Sequence, residues 1–196
     1  MSPFELVFAL FGLLLGLAIA EVLGGFSRAV KLRRSAKEVR VGGLTPLLGL
    51  VVILDLTSFW IVAYGARDQL SVDYLTLIAV LAIVGIYYLA ASLIFPDDPE
   101  EWPDFDDHYD RQNRAVILGL LAANVGSWIG LIALETVAPT PEMPITPDDL
   151  VDAFAGLAIL VLLIALIFVK GRRANFAILA LLVALLVGSA VLEALL

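Results

Sequence analysis

The chain has 196 residues, of which 61% are hydrophobic and only 16% charged, with a formal net charge of −8. Globular chains carry roughly 45–50% apolar and about 25% charged residues, so these charges are too few to clothe a water-facing surface and the composition reads as a polytopic membrane protein. There is no cysteine, and His108 is the only histidine, which excludes disulfides, thiolate chemistry, Cys-ligated metals, a bis-histidine haem and an HExxH zinc site.

Apolar runs of bilayer length predict an all-α fold of six transmembrane helices at about 3–26, 44–66, 74–95, 114–137, 148–169 and 174–195, in one domain covering 1–196. The first opens on Ser2-Pro3-Phe4-Glu5, a hydroxyl N-cap followed by proline and a carboxylate. It lacks a basic leader and a small-residue cleavage site, so it reads as a permanent span. Gly12, Gly16, Ala20 and Gly24 recur at four-residue intervals. In lipid, small residues let helix backbones approach, so this stripe is expected to seat a second helix, from the same chain or from another copy. Glu21 lies off the stripe by helical angle. It reads either as a carboxylate held by the basic loop that starts at Arg28 or as one end of a polar pathway.

The second span is expected to start at a Thr45-Pro46 cap. Asp55 sits near its middle, where an aspartate costs roughly 2.5–3.5 kcal/mol on insertion scales. No Lys, Arg or His lies at that depth in any predicted span. Asp55 must then be protonated, face water, or hold a cation, and an intramembrane acid is a functional-site candidate by default. Ser58 shares its face at i+3. Tyr87 and Tyr88 of the third span are within reach of the same depth.

Residues 96–113 form an acidic, proline-broken segment read as a loop, in which Asp104, Asp106 and Asp110 alternate. The EF-hand glycine and terminal glutamate are missing, so it is not a calcium loop. Its aromatic residues Trp102, Phe105 and Tyr109 are candidate anchors for a protein partner or for a basic loop, while anionic lipid is the alternative partner of loop 27–43.

In the fourth span Asn124 reaches the depth of Asp55 and Ser127 follows at i+3, so Asp55, Ser58, Asn124 and Ser127 are predicted to form one midplane cluster. Trp60 and Trp128 stand away from the interfaces and are read as core packing. A Leu-Gly-Leu triplet precedes both Asp55 and Asn124, at 48–50 and 118–120, but the frames differ by one residue and such triplets are common in membrane helices. Thr146-Pro147-Asp148-Asp149 resembles the first cap, and Gly171 is expected to close the fifth helix as a left-handed C-cap.

Eleven of the 12 basic residues fall in segments 27–43, 96–114 and 170–173, and the exception is Arg67. The positive-inside rule puts those segments in the cytoplasm, makes the 96–113 segment a cytoplasmic loop and leaves both termini outside, as three antiparallel hairpins. The expected setting is a bacterial inner membrane. No phosphate-binding glycine motif, nucleophile–base pair or metal cluster is visible, so neither enzyme activity, cofactor nor metal is expected, and the acidic balance argues against nucleic acid. Besides an enzyme acting on a lipid, for which no nucleophile–base pair or metal cluster can be named, two functions stay open. One is a proton or cation transporter or channel working through Asp55 and Glu21. The other is a non-catalytic assembly or accessory subunit, which could be a homo-oligomer, acting through helix one and the acidic loop.

Overall fold

In the computed structural model the described residues are 3–33, 39–70, 73–98, 102–139 and 147–195. They form six helices: α1 (Pro3–Arg33), α2 (Leu44–Gly65), α3 (Tyr74–Ser92), α4 (Phe105–Val137), α5 (Pro147–Phe168) and α6 (Arg172–Leu195). Among the described residues α2, α3, α4 and residues Phe11–Arg33 of α1 are long and apolar enough to cross a membrane. By length and composition these helices suit an integral membrane protein. Large apolar side chains such as Leu13, Ile129, Ile132 and Phe154 are exposed, as lipid-facing residues must be.

The helix contacts define two rows of three. In one row α2 touches α1 and α6, and in the other α4 touches α3 and α5. Between the rows α1 lies on α3, α2 on α4 and α6 on α5. The main partner of α1 is thus α3 rather than α2, and that of α2 is α6, so packing does not follow consecutive pairs. Both central helices, α2 and α4, carry an outward tryptophan that lies over a glycine of the helix beside it. A Cβ on Gly12 of α1 would come 2.9 Å from Trp60, and one on Gly156 of α5 would come 3.0 Å from Trp128. Trp60 and Trp128 are 36% and 41% exposed. They are therefore not core residues, which corrects the reading from sequence.

The buried face of α1 runs Phe11, Leu15, Ala18, Val22, Gly25 and Ala29. That is alternating four- and three-residue spacing, the seam of a packed helix pair. The predicted stripe lies beside this seam. Gly12 is covered by Trp60, but Gly16 is exposed with nothing within 4 Å of an added Cβ, and Gly24 meets only Arg28 of its own helix. Ala20 is exposed too. The close approach occurs instead at Gly25, where a Cβ would overlap the ring of Phe95. Both faces of α1 are apolar, so small-residue spacing alone did not separate the packed face from the open one.

Two helix starts and one helix end differ from expectation, each for a local reason. Helix α4 begins at Phe105 rather than near 114, so half of the acidic segment is helical. Asp104 is its N-cap, accepting from the Asp106 N–H at 2.8 Å, and Asp106 and Asp107 sit in the first turn, where carboxylates favour the positive helix end. At about 1.5 Å rise per residue, a helix of 33 residues outruns the bilayer, so hydropathy missed its polar end. Helix α2 has Gly43 at its N-cap and no cap from its own side chains. Asp106 of α4 supplies it, accepting from the Leu44 N–H at 3.2 Å. Thr45 is buried and donates instead to the Phe105 carbonyl at 2.8 Å. The approach of Asp106 requires Gly42, whose added Cβ would overlap the carboxylate. Gly171 does not form a left-handed cap, since no described glycine has positive φ. Asn175 ties the turn instead, donating to the carbonyls of Gly171 at 3.2 Å and Val169 at 3.3 Å. The caps expected at Ser2 and Thr146 lie outside the described residues.

Candidate functional site

Asp55 is 5% exposed and lies where α2, α3 and α4 meet. Tyr87 of α3 donates its hydroxyl to Asp55 Oδ2 at 2.8 Å. Asn124 of α4 donates through Nδ2 to Oδ2 at 3.0 Å and Oδ1 at 3.3 Å. The same Nδ2 donates to the Leu120 carbonyl at 3.0 Å, so both amide hydrogens of Asn124 have acceptors. Tyr87 is 1% exposed, whereas its neighbour Tyr88 is 41% exposed. The helix therefore turns one of its two adjacent tyrosines onto the carboxylate and the other to the outside.

The predicted four-residue cluster is thus a different trio. Ser58 and Ser127 follow Asp55 and Asn124 along α2 and α4 but bond back to their own helices, to the carbonyls of Leu54 at 3.1 Å and Ala123 at 2.7 Å. A hydroxyl in an apolar helix finds its nearest acceptor one turn back. Tyr87, which the sequence placed within reach of that depth together with Tyr88, is the third member. Glu21 does not join the cluster. It pairs with Arg28 at 3.8 Å on its own helix, and its side chain is 32% exposed.

An apolar cavity of about 340 Å³ fills the other half of the bundle, between the N-terminal part of α1, the ends of α2 and α4 and the start of α3. Phe59, Ile83 and Ser127 line it, but Asp55, Tyr87 and Asn124 do not. The ring of Phe59, which lines the cavity, packs on that of Tyr87, the donor to Asp55, with centroids 5.5 Å apart.

The basic end is joined by backbone hydrogen bonds, with ion pairs beside them. Arg40 and Asp104 form an isolated bridge, with the Arg40 N–H donating to the Pro103 carbonyl at 2.8 Å and the Phe105 N–H to the Arg40 carbonyl at 3.1 Å. Arg172 donates through Nε to Asp110 at 2.8 Å and also reaches Asp107. These hydrogen bonds, Asp110 first, push the pKa of the guanidinium above its usual value. His108 Nε2–H donates to the Leu93 carbonyl at 3.1 Å, and its other ring nitrogen is buried without a partner among the described residues. The indole of Trp102 meets the His108 ring edge-on, with Arg111 on the indole 5.1 Å from the ring centroid. Phe105 and Tyr109 are each 1% exposed. They pack within their own chain, where the segment meets Arg40 of segment 27–43, which fits the alternative of a basic loop of the same chain and leaves these two residues no surface for a separate partner; Trp102 is half-buried.

Among the described residues no three His, Cys, Asp or Glu side chains are grouped to hold a metal ion. The chain matches no protein-family model, no curated protein and no solved structure.

Proposed function

We propose that this is a non-catalytic membrane subunit whose midplane carboxylate is a structural tie. The observation that carries the reading is the burial of Asp55, which accepts from Tyr87 and Asn124 and does not line the cavity. A conducting carboxylate needs a path for water or ions. Buried polar groups are retained when their hydrogen bonds are complete, and here completing them pins three helices in one register. The outward face of α1, with Leu13, Gly16, Leu17 and Ala20 exposed, is left for lipid or for assembly with a partner, including a second copy.

The topology we propose has six spans as three hairpins, the basic end in the cytoplasm of a bacterial inner membrane and both termini outside. Cysteines placed at Pro103 and Asp68 should then be labelled from opposite sides, Pro103 from the cytoplasm. Labelling from one side would overturn the topology.

One observation favours a proton or cation pathway as the second reading: Tyr87, a donor to the buried acid, packs on Phe59, which lines a cavity. Proteoliposomes with imposed proton and cation gradients separate the two. The structural reading expects no flux above protein-free vesicles, from wild type and Asp55→Asn alike. Flux in the wild type that Asp55→Asn abolishes would replace it with the transport reading.

A further inference from the structure

We propose that the turn between α5 and α6, with the side of α4 that faces it, binds the phosphate of an anionic membrane phospholipid through Arg114, Lys170 and Arg173. The three cations mark one depth. Arg114 is followed by 20 residues without a charge, Lys170 is preceded by 17 and Arg173 is followed by 19. Each is thus the last charge before a stretch of bilayer length, which is the level of the lipid phosphates. Arg172 brings them together. It donates to Asp110 at 2.8 Å and reaches Asp107. Lys170 lies two residues before it, Arg173 follows it, and Arg114 stands one turn beyond Asp110 on the same face of α4.

The positive charge here is left over once the nearby acids are accounted for. Asp107 and Asp110 are both taken by Arg172. Asp104 caps α4 and faces Arg40, and Asp106 accepts from the Leu44 N–H. Asp97 and Asp98 follow α3, whose Leu93 meets α4 at His108, about 160° around the helix from Asp110. Among the described residues Arg114, Lys170 and Arg173 are exposed and have no ion-pair partner. Anionic headgroups are drawn to such basic pockets between helix ends. What singles out a lipid is the surface beside each cation, on its membrane side. Leu118 lies one turn from Arg114, Phe168 two residues from Lys170 and Phe176 one turn from Arg173, and all three are exposed. Phosphate-level charge with open apolar surface directly below it matches a headgroup and its acyl chains. A free phosphate or an acidic protein in water would leave that apolar surface unused.

Native mass spectrometry of the full chain in mild detergent, with phosphatidylglycerol or phosphatidylcholine added at equal concentration, tests the site. A basic residue at an anionic surface is worth roughly fivefold in affinity, so wild type should bind phosphatidylglycerol at least about tenfold more tightly than phosphatidylcholine. The preference should shrink as ammonium acetate is raised. The triple variant Arg114→Gln, Lys170→Gln, Arg173→Gln should lose it while melting like wild type, since no ion pair is broken. The double variant Lys170→Gln, Arg173→Gln should lower it at least about threefold, and serves should the triple fold poorly. Arg67→Gln, at the other end of the bundle, should keep it. Neither inorganic phosphate nor polyglutamate, at a molar charge equal to that of the lipid, should displace phosphatidylglycerol. The proposal is overturned if wild type holds the two lipids equally, if a variant that melts like wild type keeps the full preference, or if either soluble anion displaces the lipid.

Discussion

Aspartate does opposite work in two regions of this molecule. At mid-depth Asp55 is buried, faces no basic side chain among its hydrogen-bond partners, and is held by neutral donors from two other helices. At the basic end Asp104, Asp107 and Asp110 face arginines, and the side chains of Asp107 and Asp110 are 63% and 43% exposed. In the low dielectric of the bundle a broken hydrogen bond strands its partners, because no water replaces what is lost. At the wet end water and salt stand in for any missing charge. The contrast teaches that here the neutral contacts fix the architecture and the charged ones trim it. Variants on each side sharpen or break that comparison.

The largest effect is expected from Asn124→Leu. It leaves Asp55 with Tyr87 as its one remaining donor from another helix, and should cost about 1–3 kcal/mol in detergent-solubilised unfolding. A loss no greater than that of an exposed substitution would break the comparison at its strong end. Gly25→Leu should be of similar size, about 1–3 kcal/mol from overpacking against Phe95. Gly16→Leu should leave the melting temperature of the isolated chain unchanged, since nothing stands within 4 Å of its Cβ. Smallest is Arg172→Gln. The arginine joins Asp107 and Asp110 but is 41% exposed, so its loss should cost under about 1 kcal/mol and fade as salt is added. A larger or salt-independent loss would show that the charged end carries structural weight of its own.

The helices and the pairing of Asp55 with Asn124 were legible because both follow from one-dimensional quantities. Span length follows from hydropathy, and depth follows from position along a span. Tyr87 could be placed at the right depth, but which of two adjacent tyrosines turns inward depends on the rotation of α3. That rotation is set by its packing on α1 and α4, which no residue of α3 announces. The hydroxyls of Ser58 and Ser127 were misassigned because depth does not reveal the nearer acceptor on their own helices. Span 114–137 was short of the true α4 because hydropathy detects the bilayer, not the helix. Asp104, Asp106 and Asp107 mark the real start, but they do so by capping, and clustered acids with prolines also describe a loop. The seam of α1 was missed for a reason peculiar to membranes. With apolar residues on every face, burial must be chosen by shape, and the shape of Phe95 against Gly25 is a tertiary fact.

The central claim is that Asp55 is a tie rather than a carrier, and the paired substitutions Asp55→Asn and Asp55→Leu test it most directly by unfolding in one detergent. Asparagine keeps the shape and an acceptor for Tyr87, so the account predicts a midpoint near that of wild type. Leucine strands the Tyr87 hydroxyl and the Asn124 amide together, and the account predicts a loss of about 1–3 kcal/mol for each stranded group. An Asp55→Leu chain as stable as wild type would contradict it, because the carboxylate would then be tying nothing.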